Sequence, residues 1–150
     1  MKISEIKFLV GKLPSCERKI FRRIFRVETV VGRLRIPKPM RGWVEERFGS
    51  LQTVEKQLIT KIVNKVTLEG SFFNELRSKR PLETSEEKLS ELAKVEECFF
   101  CRPLEFTPED IFGRIKGKHC VSASNIAKYD GWHGLIIASQ HNPLKYSREN

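Results

Sequence analysis

Cys98-Phe99-Phe100-Cys101 constrains this chain more than any other stretch. Two thiols at this spacing fit one reverse turn. Such a turn chelates a metal, closes a reducible disulfide or buries both sulfurs beside its aromatic neighbours. A redox pair normally opens a helix after a strand. Here the pair follows residues 82–97, which carry a helix signature. Thr84 and Glu87 make a capping box, and Leu89, Leu92, Ala93 and Val95 form an apolar stripe. Arg102-Pro103 comes next, which argues against the redox geometry. His141 stands just past a strand-like run over 132–138, where a returning strand presents it as a third ligand. His119, Cys120 and His133 are candidates for a fourth.

A chain of 150 residues, 39% hydrophobic and 31% charged, is long enough for one domain with a real core and reads as soluble. No apolar run approaches the length of a membrane span, so no membrane partner is expected. The N-terminus lacks the apolar stretch and small-residue cleavage site of a secretory signal, and cytoplasmic placement follows as the expectation. Four cysteines in a chain this large do not make a disulfide framework. The net charge of +9 is unevenly spread: residues 1–41 hold twelve Lys and Arg against three acids, and the remainder balances.

Within that basic segment, residues 19–26 put Ile20, Phe21, Ile24 and Phe25 at helical spacing, with cations opposite. The β-branched run 27–36, interrupted by Gly32, predicts a strand or hairpin. Residues 42–49 read as a short helix closed by Gly49, and Ser50 caps another reaching about Gln57. Over 59–73 a strand is expected, interrupted at Glu69-Gly70, with its second half the more buried. Thr107-Pro108-Glu109-Asp110 has the cap, proline and acids of a short helix. Residues 119–127 and 132–138 read as strands joined by a turn at Lys128-Tyr129-Asp130-Gly131.

Further constellations bear on function. Arg77-Ser78-Lys79-Arg80-Pro81 follows a strand, and its two arginines suit phosphate oxygens or a solvated basic turn. Ser122-Ala123-Ser124-Asn125 ends a strand with small polar residues that a sugar or nucleotide can approach. The cations of residues 1–41 can grip nucleic-acid phosphates, or simply form a charged solvent face.

In order and approximate spacing, these motifs resemble the galactose-1-phosphate uridylyltransferase family of the histidine-triad superfamily, most closely its archaeal-type members. The resemblance spans about 58–150 and rests on Arg77-x-x-Arg80-Pro81, Cys98-x-x-Cys101, a strand ending in Asn125, and a strand followed by His141. It implies that Arg77 and Arg80 contact nucleotide-sugar phosphates and that Asn125 lies near the nucleoside. It also implies that Cys98, Cys101 and His141 hold a structural zinc. The expected ligand is a UDP-sugar or similar.

Family catalysis uses a His-Pro-His segment, one histidine of which forms a covalent nucleotidyl intermediate. This sequence has only His119, His133 and His141, none arranged as His-x-His. No nucleophile stands in its place. The expectation is therefore an N-terminal portion of a uridylyltransferase-like nucleotidyltransferase, truncated or split. It would bind nucleotide-sugar phosphates and zinc and be inactive alone. A complementing C-terminal half or a second copy would cover its open sheet edge. The alternative is a non-catalytic, zinc-stabilised nucleic-acid-binding module using residues 1–41.

The fold expected is α+β: one antiparallel sheet over the segments near 59–73, 119–127 and 132–138 with flanking helices, like the first half of a histidine-triad domain. Residues 1–57 form a basic, mainly helical extension, and 58–150 the partial transferase-like domain.

Overall fold

Strand β1 (Phe25–Arg33) arises from alternation: Phe25, Val27 and Thr29 turn inward while Arg26 and Glu28 face water. It is one continuous strand, and Gly32 lies within it rather than at a hairpin. It pairs antiparallel along the whole of β2 (Lys56–Asn64), from Phe25 opposite Asn64 to Arg33 opposite Lys56. β2 then turns back into β3 (Gly70–Phe73). Asn64 drives that turn. Its Oδ1 accepts from the Val66 and Thr67 amides, and Leu68 takes a left-handed backbone, φ +64°. Burial along β2 runs opposite to the sequence expectation: Gln57, Ile59 and Thr60 in its first half are buried, and the second half is partly covered.

The computed structural model describes residues 3–79 and 98–140. Arg80, the expected helix over 82–97 and His141 lie outside them. The fold is α+β. Its strands, however, form two sheets rather than the single one expected: β1-β2-β3, and β4 (Cys120–Ser124) with β5 (Gly134–Ala138). β1 pairs along the whole of β2 and β3 along Thr60–Val63 on its other edge, while β4 pairs with β5. β4 takes residues 115–117 on its other side, where Ser122 N–H donates to Ile115 O at 2.8 Å.

Two helices, α1 (Ile6–Lys12) and α2 (Ser15–Ile24), precede β1. α3 (Arg41–Phe48) ends at Gly49, whose φ of +86° suits a residue without a Cβ. α4 (Leu51–Glu55) starts under Ser50, whose Oγ accepts from Thr53 N–H at 3.4 Å. A last short helix, α5 (Pro103–Phe106), places Pro103 in its first turn. The helix expected over 107–111 does not form. Glu109 is drawn instead into a bridge with Arg35, whose N–H donates to Glu109 O at 2.8 Å.

The core packs Leu34, Ile36, Met40, Val44, Phe48, Val54, Leu76 and Ala127. Each large apolar side chain removed from water there contributes about 1.5–3 kcal/mol. Position 57–58, the sequence-based boundary, falls inside β2, and this core draws on residues from both sides of it. No helix among the described residues is long and apolar enough to cross a membrane.

A polar seam joins the three-stranded sheet to the loop after β4. Gln57 Nε2 donates to Val54 O and Ile126 O, and its Oε1 accepts from Asn74 Nδ2 and Lys128 N–H. All four hydrogen-bonding positions of that buried amide are used. Asn74 Nδ2 also donates to Lys128 O at 2.8 Å. The Lys128 side chain then runs past Gly32 and ends on Asp110. The expected four-residue turn at 128–131 is consequently a longer loop, because Lys128 faces inward.

Candidate functional site

The seam fixes the loop that begins at Asn125, and beside it opens a cavity of about 400 Å³. Its walls come from α3 (Trp43), the cysteine turn (Phe99, Phe100), α5 (Phe106) and the β4 end (Ser124, Asn125). Trp43 meets Phe99 edge-on with ring centroids 6.1 Å apart, and Phe99 lies 6.0 Å from Phe106. The volume falls within the range of small-molecule sites, and the lining has their composition: apolar and aromatic, with few polar groups.

Two of those polar groups are not used by the fold. Ser124 is buried, and its Oγ has no hydrogen-bond partner among the described residues. A buried hydroxyl left unsatisfied costs about 1–3 kcal/mol, and this one is shielded from the cavity as well as from solvent. Asn125 Oδ1 accepts from Ala127 N–H at 3.1 Å, and its Nδ2 makes no hydrogen bond among the described residues.

Arg114 lies behind the cavity wall and crosslinks the elements that carry it. Its guanidinium donates to Pro103 O and Thr107 O on one side and to Ser122 O on the other, tying α5 to β4. Desolvation pulls its pKa down, and Glu109 opposes that effect.

Cys98 and Cys101 share one turn, in which Cys101 N–H donates to Cys98 O at 3.0 Å. Desolvation, then a hydrogen bond with Cys98 and that thiol's charge, push the Cys101 thiol above its ordinary value of 9.0. The two sulfurs are therefore close enough to interact, as two ligands of one zinc must be. Their donor type fits that ion. Among the described residues no group of three or more His, Cys, Asp or Glu stands together, and His141 is not one of those residues. Of the other imidazoles, His133 Nδ1 accepts from Tyr129 N–H at 3.1 Å, while His119 Nε2 is buried without a partner among the described residues.

Arg77 does not line the cavity. Its Nη1 donates to Ala127 O at 2.8 Å, and its guanidinium stacks 3.4 Å over the Tyr129 ring. Ala127 thus bonds both Arg77, through its carbonyl, and Asn125, through its amide. The side chain of Arg77 thus reaches, from the turn after β3, the loop that carries Asn125. Arg80 lies outside the described residues. Sequence reasoning missed Trp43 and Phe106, since aromatic residues in short helices look like any core residue. No family model, curated protein or solved structure matches the chain.

Proposed function

We propose that this chain binds a nucleotide-sugar as the N-terminal portion of a galactose-1-phosphate uridylyltransferase-like nucleotidyltransferase. The observation that carries this reading is the cavity itself: aromatic walls at Trp43, Phe99 and Phe106, and the amide of Asn125 at its edge. Flat aromatic walls suit a base, whose ring stacks on them and whose edge takes a hydrogen bond from an amide. Asn125 would meet the nucleoside. Arg77 and Arg80 would meet the phosphates, Arg77 by releasing part of its hold on Ala127.

Zinc, held by Cys98, Cys101 and His141, would supply a structural crosslink fixing the Phe99-Phe100 wall. Transfer chemistry requires a nucleophile, and no His-x-His occurs in this sequence. Nucleotide-sugar binding is therefore the part of that activity proposed for these residues.

The chain has two tryptophans, of which Trp43 lines the cavity. In a Trp132→Phe background, titration with a UDP-sugar should change Trp43 fluorescence saturably. Asn125→Ala should weaken binding by about tenfold, the size of one lost hydrogen bond to a buried polar edge. A flat titration, or an unchanged affinity in Asn125→Ala, would overturn the reading.

A further inference from the structure

Away from that cavity, four cations from three elements and a turn converge on one recess of about 290 Å³: Lys7 of α1, Arg22 of α2, Arg26 of β1 and Lys65 just after β2. No acidic residue lines it among the described residues. Its floor includes Phe21 and Phe25, with ring centroids 5.2 Å apart. Lys65 N–H donates to Ile24 O at 2.7 Å, so the recess is braced where α2 passes into β1.

Three of the four charges are uncompensated. Lys7, Arg22 and Lys65 have no acidic partner among the described residues, and Arg26 pairs with Glu28 through Nε at 3.2 Å on a half-exposed surface. Like charges gathered in a concavity repel one another and raise the local potential. The helix C-terminus accounts for Arg22, which sits in the last turn of α2. It does not account for Lys7 or Lys65. A solvated charged face would hold its cations on one element, whereas here separate elements bring them together.

We infer that this recess binds a backbone phosphate of a single-stranded nucleic acid. Cations supply the counter-charge to the phosphodiester, and the Phe21–Phe25 pair offers a stacking surface to an adjacent base. Concavity favours a strand over a lipid surface, because a membrane meets projecting groups and these cations face a recess. The excess charge of residues 1–41 extends the same field around it. This inference is independent of the cavity at Trp43, so either can fail without the other.

The test is fluorescence anisotropy of a labelled single-stranded oligoribonucleotide with the full chain, through a KCl series. Each phosphate neutralised contributes about −0.7 to the slope of log affinity against log salt. Arg22→Ala/Lys65→Ala should flatten that slope by about 1.4 and weaken low-salt binding about tenfold or more. Lys118→Ala, in the loop before β4 and with the same charge change per residue, should leave affinity within about twofold. Lys7→Ala, on an exposed position, repeats the test should the double variant not fold; it should flatten the slope by about 0.7. No binding to the oligonucleotide, an unchanged slope in the recess variants, an equal loss in Lys118→Ala, or binding only to anionic lipid vesicles would each overturn the inference.

Discussion

Lys128 Nζ lies 2.8 Å from Asp110 Oδ2, with the lysine side chain wholly buried and the carboxylate 8% exposed. This pair, with Gln57 and Asn74, holds the loop after β4 against β2 and so fixes Asn125 at the cavity edge. A charge at this depth is tolerable only with its partner. Lys128→Met should therefore destabilise the fold by about 3–5 kcal/mol, because Asp110 is left buried and unpaired. Lys128→Met/Asp110→Leu should recover most of that loss. Urea denaturation of the two variants is the check; equal losses would show that the methylene packing of Lys128, not the ion pair, holds the loop.

Gly32 is the counterpart of that lysine. A Cβ built there would stand 2.8 Å from Lys128 Cδ and 3.1 Å from Ile59 Cδ1. The lysine cannot swing aside without leaving Asp110. Gly32→Ala should cost about 1–3 kcal/mol through overpacking. In a Lys128→Ala background the same change should cost much less, and additive losses in a double-mutant cycle would refute the steric link.

Asp130 gives the fold an acid-side dependence. A hydrogen bond from Lys61 holds its carboxyl below its ordinary value of 3.8. Its folded pKa is thus lower than its unfolded one. The stabilisation is fully present above the unfolded value and is lost as pH falls through the folded value. Both groups are partly exposed, so screening limits the effect to about 1 kcal/mol or less. Lys61→Met should be less stable than the wild type at neutral pH, and the difference should vanish in strong acid. A difference independent of pH would contradict this.

The cysteine turn makes a separable prediction. The purified chain should carry a single zinc ion, and Cys98→Ser or Cys101→Ser should lose it. Chelation should lower the melting temperature of the wild type and leave the serine variants unchanged. Metal-free protein in which the two cysteines cycle through a disulfide would identify a redox pair instead.

Local signals in the sequence translated well where one residue dictates one backbone feature. Gly49 closes α3, Ser50 caps α4, and β4 and β5 lie within the runs assigned to them. Features set by distant partners did not. Gly32 reads as a break in a strand, yet its role is to admit Lys128 from almost a hundred residues away. Thr107-Pro108 has the form of a helix start, but Arg35 recruits Glu109 into a bridge, and α5 begins at Pro103 instead. Phe25 looks like the end of the α2 stripe and is the first residue of β1. Of the expected site, the two cysteines lie together and Asn125 borders the cavity. The aromatic walls were not legible, since Trp43, Phe99 and Phe106 share no periodicity and meet only when α3, the cysteine turn and α5 pack.

The central claim is that a nucleotide occupies the cavity between Trp43 and Asn125. A ¹H–¹⁵N correlation spectrum titrated with a UDP-sugar tests it residue by residue. The account predicts saturable shifts at Phe99, Ser124, Asn125 and the Trp43 indole, with Lys118 and the β3 amides unmoved. Shifts confined to the cationic recess around Arg22 and Lys65, or no shifts at any concentration, would contradict it.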